Sequence, residues 1–189
     1  MARFDTTNIG LDNKMYSVIG KATTGGADDL VQVGMVGKIG EQIEDNIYEF
    51  LPLADGDTEV FFLSTPEVDP DESKVVFNTL HGFRLEAGQI ADAVEYKRHN
   101  KFTIEETAEA IEGLASGKAT KGGYLYAKGG KRKLQYKATL PDTETDKAIL
   151  IAKIEMIEPA TQGMTVRATS AKKFENLALN YNLLRCRVL

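Results

Sequence analysis

The chain of 189 residues carries 27% charged and 42% hydrophobic residues with a net charge of -5, a composition typical of a globular protein. No apolar run approaches the roughly 20 residues needed to cross a bilayer, and the N-terminus lacks the pattern of a signal peptide. The sequence therefore predicts a protein made in a cytoplasm, with no membrane partner. The single cysteine, Cys186, excludes an internal disulfide and predicts a buried, inert thiol.

The charge is distributed unevenly along the chain. Residues 1–117 hold 9 Lys/Arg against 22 Asp/Glu, whereas residues 118–189 hold 14 against 6. Surfaces of opposite sign suit head-to-tail or surface-to-surface contact, because complementary charge orients partners. The alternative is an uneven but solvated surface. The overall negative charge argues against a nucleic-acid partner, although the basic C-terminal third keeps that as a minor hypothesis.

Residues 1–29 have too few apolar residues to form a core and are interpreted as an extended N-terminal arm. Phe4, Ile9, Leu11 and Tyr16 are its candidate partner-binding residues, which would become ordered against another chain. The competing interpretation is a first strand, Tyr16 to Ile19, of the same domain. Residues 30–189 are predicted to form a β-rich domain, with a possible subdivision near residue 118 into acidic and basic parts.

Short strands are predicted over the first half of that domain. Residues 30–36 are broken by glycines and indicate a bent strand or turns. Residues 46–53 and 59–64 are predicted to pair as a hairpin across Asp55-Gly56, with residues 60–63 covered on both faces because all four are apolar. Residues 94–97 and Phe102 are predicted as short strands joined across His99-Asn100.

One helix is expected after these strands. Thr103 and Glu106 have the spacing of a capping box, and Gly113 or Gly117 would end the helix. One face of the helix would carry Ile104, Ala108, Ile111 and Ala115. The predicted fold class is thus α+β but predominantly β: an antiparallel sheet or barrel-like domain with one short helix and an extended arm.

A second hairpin is predicted in the basic part of the chain. Residues 124–127 and 132–137 flank a Gly129-Gly130 turn, which would place Leu125 opposite Leu134 and Lys128 opposite Lys131. The cations at this tip either remain in water or contact an acidic partner. The candidate contact residues are Lys128, Lys131, Arg132 and Lys133.

Two further strands are expected near the C-terminus. Residues 149–158 alternate with Leu150, Ala152, Ile154 and Met156 on one face. In the last segment, the apolar parity switches between Leu183 and Leu184. This switch predicts a β-bulge there, or a half-strand that faces another subunit.

No catalytic, cofactor-binding or metal-binding residue is predicted. The chain lacks phosphate-binding, dinucleotide-binding, zinc-protease and nucleophile-elbow motifs. His81 and His99 are expected in surface turns. The acidic runs at 69–73 and at Asp142, Glu144 and Asp146 are interpreted as solvated loops, since the first lacks the glycine and the final glutamate of a calcium loop.

The segments IYEFLPLADGDTEVFFLSTPEVDPDES (47–73) and EAGQIADAVEYKRHNKFTI (86–104) resemble small head decoration, or auxiliary capsid, proteins encoded beside the major capsid protein in tailed bacteriophages. The resemblance implies a non-enzymatic cement protein of the virion, made in the bacterial host cytoplasm. Its partner would be the major capsid protein of the assembled shell, which it would stabilise as many copies on a symmetric lattice or as a homo-oligomer. The alternatives are a tail-tube or head-completion ring protein and, in another class, a carbohydrate-binding module or small hydrolase.

Overall fold

Strands dominate the computed structural model, which describes residues 2–3, 13–20, 34–64, 90–108, 110–114, 118–159, 166–168, 174–176 and 182–189. In chain order the strands of these residues are β1 Ala2–Arg3, β2 Met15–Gly20, β3 Val36–Glu44, β4 Ile47–Leu51, β5 Phe61–Ser64, β6 Ile90–Glu95, β7 Lys101–Glu105, β8 Ile111–Glu112, β9 Tyr124–Lys128, β10 Leu134–Lys137, β11 Ala148–Pro159, β12 Val166–Ala168, β13 Phe174–Asn176 and β14 Asn182–Val188. The fold is therefore predominantly β, as the sequence predicts.

Five strands close into a small barrel in the order β2-β4-β3-β5-β6, with β6 pairing back to β2. The β2–β4 pair is parallel and the other pairs are antiparallel. A five-stranded barrel has an interior that side chains can fill. The buried residues that fill it are Val18, Phe50, Phe61, Leu63, Ala91 and Ala93.

Seven strands form an open sheet in the order β1-β7-β14-β11-β9-β10-β8. The strand β14 is an interior strand of this sheet and pairs antiparallel with both β7 and β11. The remaining strands, β12 and β13, form a two-stranded ribbon.

One hydrophobic core joins the barrel to the inner face of the sheet. The strand β5 supplies both interiors: Phe62 packs into the joint core together with Val60, whereas Phe61 and Leu63 point into the barrel. All four of these residues are at most 2% exposed. The prediction that residues 60–63 are covered on both faces is confirmed, and the reason is that alternate side chains enter two different cores.

The predicted helix from Thr103 is wrong. Thr103 and Ile104 belong to β7, and β8 begins at Ile111. Phe102 and Ile104, two residues apart, are both buried in the joint core, as expected for side chains on one face of a strand. The Glu106 carboxylate does not close a capping box; instead it accepts hydrogen bonds from the Ala119 backbone N–H and the Asn182 amide.

The pairing predicted for residues 46–53 and 59–64 is also wrong, although both segments contain strands. The strand β3 lies between β4 and β5 and pairs with each of them. Its tight turn to β4 uses Asn46, whose φ of 62° is a left-handed conformation that asparagine tolerates. Asp55-Gly56 does form a turn, but the turn joins strands that are not neighbours.

Residues 90–95 and 101–105 form strands on either side of the predicted turn, but they belong to different sheets. The chain passes from the barrel to the sheet between Glu95 and Lys101, and the subdivision near residue 118 into acidic and basic parts stays a prediction. Within the segment interpreted as an arm, residues 15–20 form a barrel strand, as the competing interpretation held, and residues 2–3 pair with β7. Asn13 and Lys14, just before that strand, are also described, and the other residues of the segment lie outside the described residues.

The hairpin of β9 and β10 is present, with a register two residues away from the predicted one. Leu125 lies opposite Tyr136 instead of Leu134. A shift of two residues keeps every side chain on its predicted face, so Leu125 and Leu134 are still both buried.

A bulge was predicted in the last strand, but the structure has the bulge in the neighbouring strand β11. The register between β11 and β14 shifts between Ile154 and Met156, which leaves Glu155 as the extra residue of a bulge in β11. Met156 is consequently 44% exposed rather than aligned with the buried face of Ile154. In β14, Leu184, Cys186 and Val188 are buried as one parity. Residues 177–181 lie outside the described residues.

Candidate functional site

The tip of the β9–β10 hairpin contacts the barrel. The Gly130 N–H donates to the Leu53 carbonyl at 2.7 Å, and the Val36 N–H donates to the Arg132 carbonyl at 2.7 Å. Gly129 lies so close to Asp55 that a Cβ atom would fall 2.8 Å from the Asp55 backbone nitrogen. The backbone of the tip is therefore held by the chain itself and is not an extended loop in water.

The charged side chains of the tip have different partners. Lys131 Nζ lies 2.9 Å from Glu112 Oε1, and this contact, with a hydrogen bond from Gln135, lowers the pKa of Glu112. No ion pair forms between Lys128 or Lys133 and any carboxylate of the described residues. Lys131 is exposed, whereas Lys128 and Lys133 are half-buried. These charges are compatible with an acidic partner, and Lys131 also has an acidic neighbour in its own chain.

Of the candidate arm residues, the structure describes Tyr16 alone; Phe4, Ile9 and Leu11 lie outside the described residues. The Tyr16 ring is half-buried and packs edge-on against Tyr48 at 5.1 Å and Phe61 at 5.6 Å, measured between ring centroids. Tyr16 is thus part of the barrel packing. Replacing it would disturb the barrel as well as any partner contact.

A row of cations crosses the outer face of the seven-stranded sheet, the face turned away from the barrel. The register aligns Lys101, Arg187, Lys153, Tyr124 and Lys137 on five adjacent strands, and we call this set the basic row. Neighbouring strands are about 4.8 Å apart, so the row is roughly 20 Å long. Sequence reasoning missed the row, because its members are far apart along the chain and only the sheet register brings them together.

The basic row is incompletely neutralised by its neighbours. Glu155 serves two cations: its carboxylate lies 2.7 Å from Arg187 Nε and 3.6 Å from Lys101 Nζ. Lys137 pairs with Asp146 at 2.5 Å. No carboxylate of the described residues forms an ion pair with Lys153. The outer face therefore retains excess positive charge, to which Lys128 and Lys133 add.

The β3–β4 hairpin has the opposite charge. Its tip, residues 41–46, is exposed throughout and carries three carboxylates, Glu41, Glu44 and Asp45; we call it the acidic tip. None of these three makes an ion pair with a cation of the described residues. Ile43, between them, is 48% exposed. The acidic tip therefore combines unneutralised charge with one exposed apolar side chain.

A groove of about 370 Å³ lies between the barrel and the sheet. Its carboxylates are held by cations: Glu59 lies 2.5 Å from Lys14 Nζ, and Glu95 lies 3.3 Å from Lys97 Nζ. Tyr96 is the aromatic residue of the lining, and its ring packs on Phe62 and Phe102. The groove thus offers neither a carboxylate poised for acid–base chemistry nor an open aromatic platform for a sugar.

The remaining reactive residue types have structural surroundings. The Asp142 carboxylate accepts hydrogen bonds from the backbone N–H groups of Glu144 and Thr145, and Asp146 accepts one from the Asp142 N–H. His99 is exposed in a turn with a φ of 73°. His81 and the acidic run at 69–73 lie outside the described residues. Within the described part of the chain, no three His, Cys, Asp or Glu side chains are grouped as metal ligands.

Cys186 is buried in β14, as predicted, and burial raises the pKa of its thiol far above the ordinary value. Because the thiolate is the reactive form, we expect alkylation of the native protein at about pH 8 to be at least about 100-fold slower than in denaturant. The exposed neighbouring position gives the control: Arg185→Cys in a Cys186→Ala background should react as a free thiol. Equal rates for native and denatured wild-type protein would contradict the assignment.

The described residues contain no helix long and apolar enough to cross a membrane. Comparison with protein-family models, with curated proteins and with solved structures finds no match to this chain.

Proposed function

We propose that this protein is a bacteriophage virion subunit that decorates the assembled head and stabilises it by binding the major capsid protein. The proposal rests on the resemblance of residues 47–73 and 86–104 to head decoration proteins. The observation in the structure that supports it best is that one β-rich chain carries two surfaces of opposite charge, the basic row and the acidic tip. Such surfaces suit repeated weak contacts on a symmetric lattice.

The edges of the open sheet favour decoration over a ring built by strand addition. Strand addition needs a long row of unpaired backbone groups at an exposed edge. The two edge strands of the seven-stranded sheet, β1 and β8, have two described residues each, and the barrel has no edge because it is closed. Short edges are a common protection against such pairing. The ring protein therefore remains the second proposal.

Co-sedimentation with emptied and DNA-filled phage heads tests the proposal. We expect the purified protein to saturate at a fixed multiple of the icosahedral positions. Absence of binding to both kinds of head, together with ring-shaped particles in electron micrographs of the protein alone, would favour the ring protein. Sugar binding or hydrolytic turnover would favour the carbohydrate-binding module or small hydrolase.

A further inference from the structure

We infer that copies of this chain bind each other head to tail, with the acidic tip of one copy on the basic row of the next. The contact uses the two surfaces that also support the proposed function, but it joins copies of the chain and is tested by self-association rather than by binding to heads. The occupant of the basic row is a second copy of the chain.

The geometry makes this contact intermolecular. The barrel packs on the inner face of the seven-stranded sheet through the joint core, and the basic row lies on the outer face of the same sheet. The acidic tip belongs to the barrel hairpin of β3 and β4. One copy therefore presents the two surfaces on different sides of the sheet, so the acidic tip is available to the basic row of a neighbour.

The two surfaces match in charge and size. The unneutralised cations of the outer face include Lys153, and Lys101 shares the single carboxylate of Glu155 with Arg187. These three cations lie on adjacent strands, so they extend over about 10 Å. Residues 41–44 of the acidic tip are strand and span roughly 10 Å, and Asp45 lies in the turn that follows. The three carboxylates of the acidic tip thus extend over a distance similar to that of the three cations.

An apolar contact accompanies the charges. Ile43 is 48% exposed at the acidic tip, and Met156 is 44% exposed on the outer face beside Arg185. Apolar residues surrounded by polar ones are the usual arrangement of a protein contact. A nucleic acid would also use the cations of the outer face, but it would leave the acidic tip unexplained.

Because the contact joins two different surfaces, it is heterologous and builds chains or rings rather than closed two-fold dimers. The test uses two charge-reversed variants. The tip variant is Glu41→Lys with Glu44→Lys and Asp45→Lys; the row variant is Lys101→Glu with Lys153→Glu. A row control of equal charge change is Lys118→Glu with Lys121→Glu, two exposed lysines in the loop before β9.

Sedimentation velocity at about 50 mM and about 500 mM salt provides the measurement, since the contact weakens as salt screens it. We expect wild-type and control proteins to associate at low salt, and each variant alone to associate at least about tenfold more weakly. An equimolar mixture of the two variants should associate again, because the intact basic row of one meets the intact acidic tip of the other and the two reversed surfaces are also complementary in charge. Restored association in the mixture also shows that both variants are folded.

A wild-type protein that stays monomeric at low salt would overturn the inference, as would variants that associate like wild type. Oligonucleotide binding that is lost in the row variant, without self-association of the wild type, would overturn it in favour of nucleic acid. Saturable binding to heads by a protein that shows no self-association would leave the decoration proposal standing and remove this one.

Discussion

Replacing Phe62 by alanine is expected to lower the free energy of unfolding by about 3 to 5 kcal/mol, the usual cost of deleting a buried aromatic side chain. Phe62 has no exposed surface, and its ring centroid lies 4.5 Å from that of Tyr96 and 5.1 Å from that of Phe102. Tyr96 follows the barrel strand β6, whereas Phe102 lies in the sheet strand β7. The cavity would therefore open between the barrel and the sheet.

Urea unfolding followed by far-UV circular dichroism and by tyrosine fluorescence would measure this loss. We expect the two signals to move together to lower urea, because one core serves both sheets. Leu140→Ala, at an exposed site, is the control and should change stability by less than about 0.5 kcal/mol. A Phe62→Ala loss below about 1 kcal/mol would show that the ring does not join the two sheets as described.

Gly37→Ala is the substitution with the second largest expected effect, a loss of about 2 to 3 kcal/mol. A Cβ atom at this buried position would lie 2.5 Å from the Leu51 carbonyl oxygen and 2.7 Å from the tip of the Phe50 ring. Neither neighbour can withdraw easily, because Leu51 is backbone in the adjacent strand and the Phe50 ring fills the barrel interior. The substitution would force β3 away from β4.

Gly40→Ala on the same strand provides the matched control. Its Cβ would lie 2.8 Å from Leu51 Cδ1, which can rotate away, and 2.9 Å from Glu49 Cβ, but none of its three nearest atoms belongs to the backbone. We expect a loss of less than about 1.5 kcal/mol there, measured by the same urea titration. Equal losses at the two glycines would mean that the free energy of unfolding falls because a strand loses a glycine, and not because the new methyl group at residue 37 meets the Leu51 carbonyl oxygen.

The fold class could be predicted because apolar alternation is strong where it matters. Residues 60–63 are apolar without interruption, and β5 is accordingly buried on both faces. The helix from Thr103 was mispredicted because Thr103 and Glu106 match a capping box by spacing alone. In the folded chain Glu106 binds Ala119 and Asn182, 13 and 76 residues away, which a local pattern cannot report.

Pairing and register were the weaker predictions, and the candidate surfaces depend on both. The Gly129-Gly130 hairpin could be recognised from its turn residues, but its register depends on the docking of Gly130 on Leu53. The basic row needs Lys101 aligned with Arg187 and Lys153, and the bulge at Glu155 places the carboxylate that Lys101 and Arg187 share. The excess of cations after residue 118 was the available signal, but it could not specify a face.

The position of β14 in the sheet has a consequence for how the chain is made. β14 comes after every other strand of the sheet in sequence, yet it lies between β7 and β11 and pairs with both. Until residues 182–188 have left the ribosome, the facing edges of β7 and β11 lack their partner. Closing the sheet then joins Arg185 to Thr103 across more than 80 positions, and folds dominated by such distant pairings form slowly. Newly made chains would expose two open strand edges during that interval, which is when aggregation competes with folding.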